Sequence, residues 1–377
     1  MFECVRSAGF RFDHVACTGT HSLHWNRALR QAHTRDTRRP MTPRPAVLAA
    51  LSTEAWDLVF DDARRARLQT LAAPGGPLHV PALDAPTLDD RLAAVEVLVT
   101  GWGAPVLDAP LLDRLPRLRA VFHAAGSVRG LVSDAFWERD ILLTSAAEAN
   151  AAPVAEYTLA MILLSGKRAL LPLRTADAQH DLRVGPRVGG RIGNLDRTVG
   201  IVGFSRIGRR VVDLLHPFPG LEVLVADPYA DAEEVAAAGA RLVPLDALLP
   251  AVDLLSLHAP ALPATRRMIG RAQLAALRDG ATVLNTARGA LLDHDALLVE
   301  CAAGRLDAIL DVTDPEPLPP DHPLLHLPNV AVTPHLAGSL GTEAHRLADA
   351  ALDELEAWVA GRPPRHPVHR ADLAHSA

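Results

Sequence analysis

The feature that most constrains the fold is a glycine-bearing turn that joins an apolar run to a helical pattern. The apolar residues 199–202 lead directly into the sequence GFSRIG at residues 203–208, and apolar residues then recur at helical spacing. A second apolar run ends at Asp227, nineteen residues after the last glycine. The order strand, glycine turn, helix, strand and acid is typical of a unit that binds a dinucleotide. It predicts an α/β fold with a doubly wound parallel sheet, the Rossmann arrangement.

Each part of the turn has a physical role. Gly203 permits the tight turn after the strand, and Gly208 lets the helix pack closely on the sheet. The backbone amides of Ser205, Arg206 and Ile207 are expected to face a pyrophosphate at the helix N-terminus, where the helix dipole favours an anion. Ser205 stands where a middle glycine is usual, so its side chain is expected to crowd the pyrophosphate. A sheet of this type that binds no nucleotide remains the alternative.

The acid after the second strand selects the cofactor. Asp227 is expected to accept hydrogen bonds from the adenosine ribose hydroxyls. A 2′-phosphate at this position would meet the carboxylate charge, so the sequence predicts NAD rather than NADP.

Composition excludes several classes of partner. The chain has 377 residues, 49% of them apolar, and a formal net charge of −6 without a basic stripe that would indicate nucleic acid. No apolar run reaches the roughly 18 residues that cross a bilayer, so no membrane span is expected. Cys4, Cys17 and Cys301 have neither metal-ligand spacing nor a disulfide pattern. We therefore expect no metal and a reducing, cytoplasmic setting.

Residues 1–40 differ from the rest of the chain because they are rich in arginine and show no sustained periodicity. They lack the apolar core of a secretory signal. We interpret them as a disordered extension or a misassigned start upstream of Met41, with a transit peptide as the alternative.

Strand and helix patterns alternate from residue 46 onward, which predicts parallel sheets. In the first unit, helical patterns cover residues 53–71 and 108–115, and a long one covers 152–171. A polar arm at 174–194 follows, and a last helix is expected at 342–360. The predicted strands are 46–50, 97–100, 120–123, 141–144, 199–202, 223–226, 241–243, 254–258, 282–285, 308–311 and 330–333.

Two domains are expected from this alternation. A smaller, flavodoxin-like α/β substrate domain would comprise residues 45–150 and 338–366. The NAD-binding domain would comprise residues 151–337, including the long helix and the arm. Ligands of such folds bind at the carboxyl ends of the strands.

Three segments that follow predicted strands carry side chains suited to catalysis. Arg288, in NTARG, could clamp a carboxylate with its guanidinium. Glu316 lies between two prolines in a rigid loop, and His335 follows a strand and a proline. A nearby carboxylate would orient the imidazole of His335 and favour its protonated form. A surface role for Arg288 and a structural role for His335 remain open, and His258 is a rival that we interpret as a cofactor-side residue.

The chain resembles the D-isomer-specific 2-hydroxyacid dehydrogenases over roughly residues 45–365. The resemblance rests on five motifs in order, namely VGIVGFSRIGRR, LHAPALPAT, NTARG, DVTDPEPL and TPHLAGS. It implies hydride transfer between NAD and a small 2-oxo or D-2-hydroxy acid. It further implies that Arg288 binds and polarises the substrate, that His335 is the proton donor or acceptor, and that Glu316 pairs with His335. It also implies a homodimer, formed through the cofactor domain.

The resemblance extends to binding residues. The turn Ala125, Gly126 and Ser127 matches a carboxylate-binding turn that, with Arg288, would hold the substrate. Together with the glycine turn, the resemblance gives the expected cofactor contacts, which are Gly203, Ser205, Arg206, Ile207, Gly208, Asp227, His258, Ala259, Pro260, Thr265, Thr286, Ala287, Arg288, Asp311, His335 and Gly338.

Some positions depart from the family pattern and leave alternatives open. The substrate turn lacks an Asp or Asn shortly after its glycine, and Tyr157 stands where histidine is frequent. Glu316 disfavours a formate dehydrogenase, in which the resemblance predicts glutamine. A phosphite-oxidising relative and a non-enzymatic NAD sensor or corepressor remain as alternatives.

Overall fold

The computed structural model describes residues 44–170 and 192–374. The predictions for residues 1–40 and for most of the arm at 174–194 lie outside the described residues. All described residues belong to one compact unit. They build two parallel sheets, each flanked by helices.

The first sheet has five strands in the order β2-β1-β3-β4-β5. This is the flavodoxin-like order, in which the order of the strands reverses between β1 and β3. All of its strand pairs are parallel, and Thr100 at the end of β3 lies beside His123 at the end of β4. The strands are β1 Val47–Ala50, β2 His79–Val80, β3 Val97–Thr100, β4 Ala120–His123 and β5 Leu142–Ser145.

The second sheet has seven parallel strands in the order β12-β11-β10-β9-β6-β7-β8. The strand order reverses between β6 and β9, which is the position where doubly wound sheets bind dinucleotides. The predicted α/β class and Rossmann arrangement are therefore confirmed. The strands are β6 Arg197–Val202, β7 Leu221–Ala226, β8 Arg241–Leu242, β9 Leu254–Leu257, β10 Thr282–Asn285, β11 Asp307–Leu310 and β12 Val330–Val332.

Helices connect the strands of both sheets. The α-helices are α1 Thr53–Val59, α2 Asp62–Leu71, α3 Asp89–Leu92, α4 Ala109–Asp113, α5 Asp134–Trp137, α6 Ala147–Gly166, α7 Arg206–Leu215, α8 Ala232–Ala237, α9 Leu245–Leu248, α10 Arg271–Ala276, α11 His294–Ala302 and α12 His345–Val359.

The last helix, α12, packs on the first sheet although it follows the second sheet in sequence. It contacts α1, α2, β4 and β5. Leu347, Leu352 and Leu355 are fully buried in the same cluster as Phe122 of β4. Each such side chain contributes about 1.5–3 kcal/mol of transfer free energy, so α12 closes the hydrophobic core of the first sheet.

Three helix predictions had wrong boundaries. The helix expected at 53–71 is interrupted, because Phe60 is extended and the Asp61 side chain caps a new helix by accepting from the Arg64 amide. The long helix begins at Ala147 rather than at residue 152, since Pro153 lies inside it instead of marking its start. The last helix is preceded by a 3-10 turn, Gly341–Ala344.

Candidate active site

The glycine turn lies at the strand-order reversal of the second sheet. Gly203 has φ +96°, and a Cβ atom there would lie 2.6 Å from the backbone nitrogen of Ala259. A Cβ atom at Gly208 would lie 2.1 Å from the carbonyl oxygen of Gly203. A side chain at Gly203 would clash with the loop after β9, and a side chain at Gly208 would clash with the backbone of Gly203, so both residues must be glycine for this turn to close.

Ser205 caps the helix that follows the turn. Its hydroxyl donates to the carbonyl oxygen of His258 at 2.9 Å and accepts from the amide of Gly208 at 3.4 Å. Serine is a preferred N-cap because its oxygen satisfies an amide that the helix leaves unpaired. The hydroxyl expected to crowd the pyrophosphate is bonded to the Gly208 amide and to the His258 carbonyl oxygen.

Asp227 also stabilises the glycine turn. Its two carboxylate oxygens accept from the amides of Phe204 and Tyr229, each at 2.8 Å. The carboxylate therefore holds the glycine turn against the end of β7, and each oxygen keeps a second lone pair for a hydroxyl group.

A cleft of about 630 Å³ lies beside the turn, within the range of small-molecule sites. Residues from helices and from loops that follow strands of both sheets line it. The predicted site residues among them are Gly126, Ser127, Ser205, Arg206, Ile207, His258, Ala259, Pro260, Thr286, Ala287, Arg288, Asp311, His335 and Gly338. The predicted residues outside the lining are Ala125, Gly203, Gly208, Asp227, Thr265 and Glu316.

Glu316 reaches the site through His335. Its Oε1 atom lies 2.5 Å from Nδ1 of the imidazole, which fixes the ring and leaves Nε2 as the second nitrogen. His335 has φ +53°, a left-handed conformation that is uncommon for a residue with a side chain. Its amide donates to the carbonyl oxygens of Asp311 and Thr333, both at 3.0 Å, so surrounding hydrogen bonds maintain this conformation.

Asp311 is the residue that positions this histidine loop. Its buried carboxylate accepts from the Thr333 hydroxyl at 2.6 Å and from the amides of Leu336 and Ala337 at 2.8 and 2.9 Å. The resemblance implies that Asp311 contacts the cofactor, and it does line the cleft. Its observed hydrogen bonds add a loop-holding role that sequence analysis missed.

Arg288 is held by its neighbours in NTARG. The side chain of Asn285 donates to the carbonyl oxygen of Arg288 at 2.9 Å and accepts from the amide of Ala287 at 3.0 Å. Burial lowers the pKa of Arg288, and the charge of Glu316 opposes that effect. An anion in the cleft would therefore gain a partly desolvated cation as its partner.

Comparison with known proteins places these features in a family. A sequence model of the D-isomer specific 2-hydroxyacid dehydrogenase, NAD binding domain, matches residues 173–337. The glyoxylate/hydroxypyruvate reductase B of Pectobacterium atrosepticum is 33% identical over 299 residues, which are 77% of this chain and 91% of that protein. The chain belongs to the D-isomer-specific 2-hydroxyacid dehydrogenase family. It therefore contains the family's NAD-binding domain.

Some other proteins similar to this chain are much longer than it. The D-3-phosphoglycerate dehydrogenase of Mycobacterium tuberculosis is 33% identical over 300 residues, 78% of this chain and 55% of that protein. The chain thus spans about half the length of the phosphoglycerate dehydrogenases that it matches. The crystal structure of TT0316 protein from Thermus thermophilus superimposes with a TM-score of 0.68 at 31% identity, covering 85% of this chain and 99% of that one.

The residues at the glycine turn are suited to bind NAD, the cofactor of this family. The closely packed glycine turn and the capped N-terminus of α7 leave the amides of Arg206 and Ile207 at the cleft, as a pyrophosphate requires. Arg206 also forms an ion pair with Glu148 at 2.9 Å. Thr265 lies outside the lining and closes its own loop by donating to the carbonyl oxygen of Pro260 at 2.6 Å.

Two buried histidines in this family member are held neutral. Burial lowers the pKa of His258 to about 3, and its Nε2 lies 2.8 Å from the Ser256 hydroxyl. His258 is therefore a poor proton donor, which favours His335 over its rival. Burial lowers the pKa of His123 to about 4, and its Nδ1 lies 2.9 Å from the hydroxyl of Thr100. His123 ends β4, shortly before the turn at Gly126 and Ser127, and sequence analysis missed it.

Side chains of the long helix α6 hold the loops of the site and were also missed. The hydroxyls of Thr158 and Thr286 are 2.9 Å apart, and the hydroxyl of Tyr157 lies 3.0 Å from that of Thr333. Asn150 accepts from the amide of Ser339 at 3.0 Å. The helical period indicates this face, because Asn150 and Tyr157 lie seven residues apart, which is about two turns of the helix.

The described part of the chain contains neither a metal cluster nor a membrane-spanning helix. Within residues 44–170 and 192–374, no group of three His, Cys, Asp or Glu side chains could hold a metal ion. No helix of that described part is long and apolar enough to cross a bilayer.

Proposed function

We propose that the protein is an NAD-dependent oxidoreductase that interconverts a small 2-oxo acid and its D-2-hydroxy acid. The observation that carries the proposal is the 2.5 Å pair of His335 and Glu316 beside a cleft that Arg288 and the glycine turn also line. A proton donor, an anion-binding cation and a dinucleotide turn at one cleft are the parts that this reaction needs.

Arg288 and the turn at Gly126 and Ser127 bind the substrate. The guanidinium offers two parallel donors to a carboxylate, or one to the carboxylate and one to the 2-oxo group. Its partial burial strengthens that interaction, because fewer water molecules screen the charge. These contacts fix the carbonyl carbon and polarise its bond to oxygen.

His335 supplies the proton to the carbonyl oxygen. Glu316 holds the ring through Nδ1, which leaves Nε2 as the nitrogen that donates. The same hydrogen bond holds the imidazole in one orientation for the proton transfer. Bound NADH supplies the hydride that reduces the carbonyl carbon. In the reverse direction, His335 accepts the hydroxyl proton.

The remaining assignments belong to this proposal. Residues 45–150 and 338–366 form the substrate domain, and residues 151–337 form the NAD-binding domain. Asp227 favours NAD over NADP, because its charge opposes a 2′-phosphate. We further propose a homodimer that acts in the cytoplasm.

Loss of NADH absorbance with glyoxylate, hydroxypyruvate and pyruvate tests the proposal. We expect turnover, a preference for NADH over NADPH, and a D-configured product when the product is chiral. Binding of NADH without turnover of any 2-oxo acid would instead favour a sensor. Reduction of NAD by phosphite alone would favour the phosphite-oxidising alternative.

A further inference from the structure

Part of the cleft lining is an apolar wall. Leu58, Trp102 and Leu340 all line the cleft that contains Arg288 and His335. Trp102 is 40% exposed and Leu340 is 48% exposed, although both are large apolar side chains. Large apolar residues that stay exposed at a ligand cleft indicate contact with an apolar group.

The order of strands brings this wall beside the carboxylate-binding turn. Trp102 follows β3, and β3 pairs with β4, which leads into the turn. A Cβ atom on Gly101 would lie 3.8 Å from the carbonyl oxygen of Ala124, so the two loops lie side by side. Leu58 belongs to α1, and Leu340 precedes the 3-10 turn Gly341–Ala344 that contacts α1. A substrate bound at the turn would direct its side chain towards these apolar residues.

Few charged residues line the cleft, and the cations among them already have roles in this account. Among the described residues that line it, the cations other than histidine are Arg206 and Arg288. Arg206 lies at the nucleotide helix and pairs with Glu148. Arg288 is needed for the carboxylate and the carbonyl group of any 2-oxo acid. The described lining therefore offers no additional arginine or lysine for a second anionic group on the substrate.

We propose that the substrate is a 2-oxo acid whose side chain is apolar and larger than methyl, and that Leu58, Trp102 and Leu340 bind this side chain. The inference rests on the proposed function and narrows it. It also separates this chain from its phosphoglycerate dehydrogenase relatives, since a phosphorylated substrate needs a further cation and the described lining has no arginine or lysine besides Arg206 and Arg288.

A graded series of 2-oxo acids tests the inference with the full chain and NADH. The series is glyoxylate, pyruvate, 2-oxobutyrate, 4-methyl-2-oxopentanoate and phenylpyruvate, with oxaloacetate and 3-phosphohydroxypyruvate as anionic members. Each methylene group in an apolar pocket changes kcat/KM by about tenfold or more. We expect 4-methyl-2-oxopentanoate or phenylpyruvate to exceed glyoxylate by at least about a hundredfold, and both anionic members to be poor substrates.

Two variants test whether the apolar wall causes the preference for apolar 2-oxo acids. In Trp102→Ala, the kcat/KM ratio of the best apolar substrate over glyoxylate falls by about tenfold or more, because one side of the pocket is lost. Leu340→Arg raises the ratio of oxaloacetate over the same apolar substrate, since it adds a cation to the wall. Val106→Ala is the matched control, because Val106 is 48% exposed near Trp102 in sequence but is not among the lining residues. Its ratios should equal those of the unaltered protein.

The possible outcomes separate the inference from the proposed function. If glyoxylate or 3-phosphohydroxypyruvate has the highest kcat/KM, the proposed function is supported. The inference that the substrate has a large apolar side chain is then refuted. An apolar preference that survives unchanged in both wall variants overturns the role of the wall. No turnover of any 2-oxo acid, with NADH binding retained, overturns both.

Discussion

Replacement of Gly289 by alanine should disable the site without unfolding the protein. Gly289 follows Arg288, and a Cβ atom there would lie 2.0 Å from both the carbonyl carbon and the carbonyl oxygen of Thr313. Thr313 opens the loop that carries Glu316. The loops that carry Arg288 and Glu316 therefore touch through backbone atoms, and no flexible side chain is available to yield.

The size of the effect follows from this geometry. Carbon atoms in contact lie about 3.5 Å apart, so the loops must separate by roughly 1.5 Å to admit the methyl group. A displacement of about 1 Å at a reacting group can lower the rate by about a hundredfold. Overpacking of this kind also costs about 1–3 kcal/mol of unfolding free energy. A typical domain has about 5–15 kcal/mol, so Gly289→Ala should remain folded at 25 °C.

Steady-state kinetics and thermal unfolding test this prediction together. We expect kcat/KM with the best 2-oxo acid to fall by at least about a hundredfold, while the melting temperature drops by only a few degrees. Gly130→Ala is the matched control, because a Cβ atom on Gly130 meets nothing within 4 Å. A kcat/KM for Gly289→Ala within about threefold of the control would refute the reasoning, since it would mean that the two loops need not touch.

Three further predictions concern charge. Glu316→Gln should lower kcat/KM for reduction, because a neutral amide holds the ring of His335 through a weaker hydrogen bond than a carboxylate does; a kcat/KM equal to that of the unaltered protein would contradict the pairing. The buried His123 and His258 have pKa values of about 4 and 3, against 6.5 for an exposed histidine, so the unfolded chain takes up protons first as the pH falls. The unfolding free energy is therefore fully retained above about pH 6.5 and should fall by about 2 kcal/mol per histidine between pH 7.5 and 5. Urea unfolding at both pH values measures this loss, and His123→Asn should remove about half of it. Finally, Asp227→Ser should lower the kcat/KM ratio of NADH over NADPH by about tenfold or more, because the repulsion of a 2′-phosphate is lost; an unaltered ratio would mean that Asp227 does not select the cofactor.

The sheets were predictable from the sequence because their central strands are buried on both faces. Such strands are continuous apolar runs, and β3 and β4 were found at their observed bounds, 97–100 and 120–123. The edge strand β2 was missed, since it has only two residues, His79–Val80, and no apolar run marks it. The interruption of the first helix at Phe60 and Asp61 was missed because the apolar spacing continues across it.

The site was predictable in part for a different reason. Residues that follow strands at one edge of a sheet must converge, so Arg288 and His335 could be expected in one cleft. The tasks of Asp311 and His123 could not be expected, because their hydrogen bonds depend on how loops fold back on the strands. Ser205 shows the same limit, since only the structure reveals that its hydroxyl is bonded to His258.

The most direct test of the account measures two properties of His335→Ala, its kcat and its affinity for NADH. His326→Ala is the control, because His326 is exposed and is not among the cleft-lining residues. We predict that His335→Ala binds NADH, measured by fluorescence, within about twofold of the control and loses at least about a hundredfold in kcat. A kcat equal to that of the control would contradict the central claim, since it would show that the reaction takes its proton from another group.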